Sequence, residues 1–181
     1  VQKNIKNALF YFERSALKEN SGAQFYLANI YLEGKYVDRD IKKAINFYKE
    51  LSSLNDSQAK NNLGVIYKNG LNDIEVNINY AKQYFEEAIK LENDPLSMYN
   101  LANILLDENL PESNKKSIKL LIDSAIQEDF LPSINLLLLY LIKNNFSINL
   151  DNIQKLLEEN KVNSKNVQSE FYYILKSIHN N

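Results

Sequence analysis

Cysteine is absent from this chain of 181 residues. Its absence excludes disulfide staples, thiolate nucleophiles and cysteine-ligated zinc, and it favours a reducing, cytoplasmic setting. Glycine occurs only four times, and no Gly-rich phosphate loop or nucleophile elbow is present. The single histidine, His179, stands two residues from the end with no cysteine or second histidine to complete a metal site. It reads as an exposed tail residue. Neither sign of charge dominates: 21 Lys and Arg face 23 Asp and Glu, a formal charge of -2, so no field draws in nucleic acid. The pairs Lys42-Lys43 and Lys115-Lys116 are too dispersed for a phosphate track.

Long hydrophobic runs are missing as well. The longest, Ile134 to Ile142, is about half the roughly 20 residues that a membrane-spanning helix needs and is interrupted by Asn135, so it predicts a buried helix and no membrane insertion. The chain opens on Val1 with no signal-peptide pattern, which suggests truncation or processing. The acidic pairs Glu86-Glu87 and Glu158-Glu159 lie on charged helix faces with neighbours pointing about 100° apart, an arrangement for solvation and not for acid-base chemistry. No catalytic, cofactor-binding or metal-binding residue is assigned.

What is present is an ordinary globular balance, 45% hydrophobic and 24% charged, together with 27 scattered asparagines. Such abundance makes any single Asn weak evidence for a role. The balance predicts a chain that folds as one structural unit.

Order enters through repetition. The stretches LANIYLEG, LGVIYKNG and LANILLDE align on Leu27, Leu63 and Leu101, with Leu136 as a fourth copy, at spacings of roughly 35 to 38 residues, in the range of helical solenoid repeats. Around each leucine, apolar or small residues recur at minus four, zero, plus one and plus four: Ala23, Leu27, Ala28, Tyr31; Ala59, Leu63, Gly64, Tyr67; Ser97, Leu101, Ala102, Leu105. This is one stripe of an α-helix, here termed helix A.

Between these segments lies helix B, a small residue followed by a bulky pair: Ala8 with Tyr11 and Phe12, Ala44 with Phe47 and Tyr48, Ala81 with Tyr84 and Phe85, and the segment Lys116 to Ala125. Four positions earlier stand Asn4, Asp40, Asn77 and Ser113, and a looser fifth copy has Asn149, all expected N-caps. Asp and Ser in the B-to-A turns suit capping, and Pro95 suits a first helical position. Short connections predict antiparallel neighbours, with Gly64 where a side chain would push two helices apart and Gly34 and Gly70 at helix A ends.

On these residues the sequence resembles the Sel-one-like repeat family, relatives of tetratricopeptide repeats. The best copy, Ala23 to Leu51, carries Ala23, Leu27, Ala28, Tyr31, Gly34, Val37, Asp40, Lys43, Ala44, Phe47 and Tyr48 in the family's order. Asn62, Asn100 and Asn135 match an asparagine common before the central leucine, and their phase gives them a structural part, bonding to a neighbouring turn. Tyr36 replaces the second loop glycine, and Leu137 takes the small position in the fourth copy. The resemblance covers roughly residues 4 to 160 and implies an all-α, right-handed α-solenoid of antiparallel helix pairs that serves as an adaptor for protein complexes.

Expected boundaries for a single repeat domain over residues 1–181 are an unpaired helix B at 4–20, repeats at 21–56, 57–93 and 94–130, a degenerate repeat at 131–163 and a capping helix at 164–181, centred on Val167 to His179. In such solenoids helix A lines the concave face. The positions opposite its packing stripe are Phe25, Asn29, Leu32; Asn61, Val65, Lys68; Tyr99, Asn103, Leu106; Ile134, Leu138, Leu141. They are expected to bind a protein or peptide, with Asn29, Asn61 and Asn103 bonding an extended backbone and Phe25, Tyr99 and Leu106 holding apolar side chains. About two asparagines in twelve positions would arise by chance at this composition. Ile134, Leu138 and Leu141 form an apolar row that requires a cover, either the terminal helix or a partner. Two alternatives remain open: an enzyme or peptidoglycan-associated, penicillin-binding factor, which in this family goes with Cys pairs, and a passive spacer within a longer chain.

Overall fold

The computed structural model describes residues 2–71, 74–127 and 131–144, together with Lys155 and Glu158. Among the described residues lie eight α-helices: α1 (Gln2–Ala16), α2 (Ser21–Glu33), α3 (Ile41–Ser53), α4 (Ser57–Asn69), α5 (Ile78–Glu92), α6 (Pro95–Glu108), α7 (Pro111–Ile126) and α8 (Leu131–Lys143). Helices α2, α4, α6 and α8 are the A segments, and α1, α3, α5 and α7 are the B segments. The only extended pairing among these residues is the isolated bridge Leu71–Ile74.

The B-to-A turns share one chemical device. Glu19, Asn55 and Asn93 adopt positive φ of 60°, 63° and 51°, and each is followed by a side chain that caps the next helix: Asn20 to Ala23 N, Asp56 to Ala59 N and Asp94 to Ser97 N, at 2.9, 2.7 and 2.6 Å. Asparagine tolerates the left-handed conformation because its short amide bonds locally, so part of the asparagine excess has a backbone role. At the B-helix starts, Asp40 and Asn77 cap as expected, accepting from Lys43 N and Tyr80 N.

Two expected caps are corrected. Asn4 lies inside α1, which begins at Gln2. Ser113 lies in the first turn of α7, which starts at Pro111 after Leu110, with no side-chain cap; its hydroxyl donates to Glu108 Oε2. Asn149, the looser fifth B copy, His179 and the terminal segment Val167 to His179 lie outside the described residues.

The chain divides into two compact units, Val1–Glu92 and Asn93–Asn181. In the first, α2 packs on α3 and α4 on α5, while α1 lies on α2 and α3 on α4. Its core gathers Leu27, Ala28, Ala44, Tyr48, Leu51, Leu63 and Ile66. Gly64 marks a close joint: a Cβ there would lie 2.5 Å from Phe85 Cε1 of α5, so glycine is what lets the two helices meet. Gly34 closes α2 in the left-handed conformation, whereas Gly70 has positive φ with an extended ψ of 131°.

A polar staple recurs within the pairs, three residues before the central leucine of helix A. Gln24 donates to Glu50 Oε2 at 3.1 Å. Its successor Lys60 donates to Glu87 Oε2 at 2.6 Å and to Ser52 Oγ at 3.2 Å. The Lys60 ammonium holds the Glu87 carboxyl below its ordinary range, against a smaller opposing effect of burial.

In the second unit α6 packs on α7, and α7 on α8, around Ala102, Leu121, Ile122, Ala125, Ile134, Leu137 and Leu138. Two serines tie these helices: Ser133 donates to Ser124 Oγ, and Ser124 to the Pro95 carbonyl. The staple positions here hold Met98 and Asp123. Burial raises the half-buried Asp123 carboxyl, with only Lys119 pulling the other way.

Candidate protein-binding face

The fourth A segment is set one residue later than the Asn135-Leu136 dipeptide suggests. Ser133, Leu137, Leu138 and Leu141 are buried in the positions of Ser97, Leu101, Ala102 and Leu105, so the true centre of α8 is Leu137. Ile134, Leu138 and Leu141 are therefore not a bare row: they are 0, 3 and 3% exposed in the core. The helix positions that the repeat leaves outward on α8 are Asn135, Leu139 and Ile142, and the latter two are 63 and 47% exposed.

The other candidates divide by environment. Phe25 and Leu32 are half-buried against the first core, and the Phe25 ring meets Tyr48 edge-on at 5.9 Å. Tyr99 and Leu106 are half-buried against the second core. Val65 and Lys68 are half-exposed, and Asn61 is buried. Asn29 already has a partner, because the Tyr48 hydroxyl donates to its Oδ1 at 2.6 Å. Burial pushes the Tyr48 hydroxyl up to about 12, with a bond to Asn62 opposing and the Glu33 charge adding to the rise. Asn62 thus serves the packing, through the neighbouring B helix and not through a turn. Asn135, its expected analogue, is exposed.

Asn103 differs from Asn29 and Asn61. It is half-exposed, and with Leu106 it lines an open cleft of about 420 Å³ between α6 and α8. The apolar lining also includes Leu136, Leu139 and Tyr140; Asp107, Asn109, Lys143 and Asn144 add polar groups. Asn109 ends α6 in the left-handed conformation, and Asn144 donates to the Tyr140 carbonyl, so helix termini position both amides. Leu136, Leu139 and Tyr140 escaped the sequence reading because of the register shift; Ser133, aligned with Ser97, was the signal that could have found them. The cleft can take a bulky apolar side chain while amides meet the attached backbone.

Among the described residues no group of three or more His, Cys, Asp or Glu side chains could hold a metal ion. No described helix is long and apolar enough to cross a membrane.

The family model described as Sel1 repeat matches residues 1–20, 21–56, 57–93 and 95–128. Among solved structures, the chain is similar to a protective antigen present in uropathogenic Escherichia coli strains that displays an SLR fold, with 22% identity, 75% of this chain and 29% of that chain covered, and a TM-score of 0.69. It is also similar to a Sel1 repeat protein from Oxalobacter formigenes, with 18% identity, 71 and 96% of the two chains covered and a TM-score of 0.58. The chain thus spans less than a third of the first of these relatives. Comparison with curated proteins gave no match.

Proposed function

The chain belongs to the Sel1 repeat family, α-solenoids that generally act as protein-protein interaction scaffolds, and from that premise we propose that it is a non-catalytic adaptor that binds an extended protein segment on its helix-A face. The cleft between α6 and α8 carries this reading. Its apolar lining of Leu106, Leu136, Leu139 and Tyr140 takes one bulky side chain, and Asn103, whose side chain has no hydrogen-bond partner among the described residues, bonds the segment's backbone.

Leu139 is the apolar anchor because it is 63% exposed at the cleft, a state that contact with an apolar side chain would relieve. Asn29 and Asn61 are supports of the packing and not rungs of an amide ladder.

Selection of a random peptide library on the intact chain tests the proposal. Peptides enriched on the wild type are expected to share a bulky apolar residue and to lose at least about tenfold in affinity on Leu139→Asp, with a smaller loss on Asn103→Ala. Enriched peptides that bind both variants as well as the wild type would overturn it.

A further inference from the structure

The cleft between α6 and α8 carries two charges for which the described residues supply no partner. Asp107 lines its α6 wall and Lys143 its α8 wall. Both are exposed, and neither makes a hydrogen bond or an ion pair among the described residues. With Leu101 and Leu137 as the centres of the two helices, Asp107 and Lys143 occupy the same repeat position, one turn beyond Asn103 and Leu139. They therefore flank the cleft at one level, an acid on one side and a base on the other. Asp107 also stands in the last turn of α6, where the helix dipole disfavours an acid and favours a cation. Its neighbour Glu108 accepts from the Ser113 hydroxyl, whereas Asp107 has nothing to offset its charge.

We propose that the segment bound in this cleft carries a bulky apolar residue between a basic and an acidic one, with the base over Asp107 and the acid over Lys143. This pattern rests on the reading that the cleft is the binding site. Backbone geometry sets the spacing. In an extended segment every second residue faces the same way, roughly 6.6 Å apart, so charges two before and two after the apolar residue stand about 13 Å from each other. Packed helix axes lie about 8 to 10 Å apart, and the outer pair thus reaches both walls while the centre rests over Leu139. Charges directly beside the apolar residue would point away from the protein. Two bases would set one against Lys143, and two acids would set one against Asp107, so the walls select mixed charge by repulsion as well as by attraction.

Binding of short synthetic peptides to the intact chain tests this. Each has a central Phe, flanked two residues away on either side by Lys and Glu, by Lys twice or by Glu twice. At low salt the mixed peptide is expected to bind the wild type about three- to tenfold more tightly than the other two, and added salt should narrow the gap. Asp107→Lys should transfer the preference to the peptide with two Glu, and Lys143→Glu to the peptide with two Lys. Lys49→Glu, at an exposed residue of α3, changes the net charge equally and should leave the original order in place. Binding that is lost on Leu139→Asp but ranks the peptides alike on wild type, Asp107→Lys and Lys143→Glu would overturn the charge pattern and leave the cleft standing. Binding that is absent, or indifferent to Leu139→Asp, would overturn both.

Discussion

The Tyr48 hydroxyl donates to Asn29 Oδ1 at 2.6 Å, linking α3 to the amide that α2 would otherwise offer to a guest. Tyr48 itself is fully buried, so its hydroxyl would be costly to leave without a partner. A residue of the helix-A face is thereby drawn into the core.

Tyr48→Phe should cost about 1 to 2 kcal/mol in chemical denaturation, since Asn29 and Asn62 both lose a partner. The effect also has a pH signature. Folding raises the hydroxyl from 10.0 to about 12, so the stability that it contributes is complete below pH 10 and is lost as pH rises through about 12. The variant should therefore lose less stability over that window than the wild type. Parallel alkaline curves would show that the hydroxyl is not buried as described.

Gly64→Ala is expected to destabilise by about 1 to 3 kcal/mol, because the added methyl would lie 2.5 to 2.8 Å from atoms of the fully buried Phe85 ring, which must shift to admit it. Gly64→Leu should cost more. Phe85→Leu in the same chain should recover part of the loss, and thermal melting of the single and double variants checks the pairing.

Acid should act on the Lys60–Glu87 staple. Glu87 titrates below 4.5 in the fold, so the pair stabilises above that value and its contribution is lost as pH falls through the depressed one. Lys60→Met, which copies the third repeat, should flatten the acid limb of stability against pH. An unchanged limb would mean that other carboxylates govern it.

The converse change, Met98→Lys, should lower the titration midpoint of Asp123, now raised by burial, as the new ammonium comes to the position that Lys60 holds beside Glu87. Carboxyl NMR resolves the shift directly. An unmoved midpoint would show that the two staples are not equivalent in space.

Much of this architecture was legible because each repeat hides its instructions in residue size. Gly64 and Ala28 announce close approach, and Asp40 and Asp56 announce helix starts. The last A helix resisted for a physical reason: Leu136 to Leu139 are four consecutive leucines, and any of them satisfies an apolar register. The Asn135-Leu136 dipeptide drew the alignment one residue early, in a chain where asparagine is common. Ser133, buried and bonded to Ser124, is the residue that fixes the true phase. The helix start at Pro111 was displaced because a helix can begin without a side-chain cap when proline supplies the first turn. The cleft depends on distances between α6 and α8, which spacing alone does not encode.

The changing chemistry of the staple, amide with acid, then cation with acid, then thioether beside acid, gives successive hairpins different identities. In each of these hairpins helix B offers an acid at that position, Glu50, Glu87 and Asp123, so the hairpins differ in what helix A brings to it. Of the three, the hairpin of α4 and α5 closes on an ion pair, which makes its joint the one that added salt would loosen.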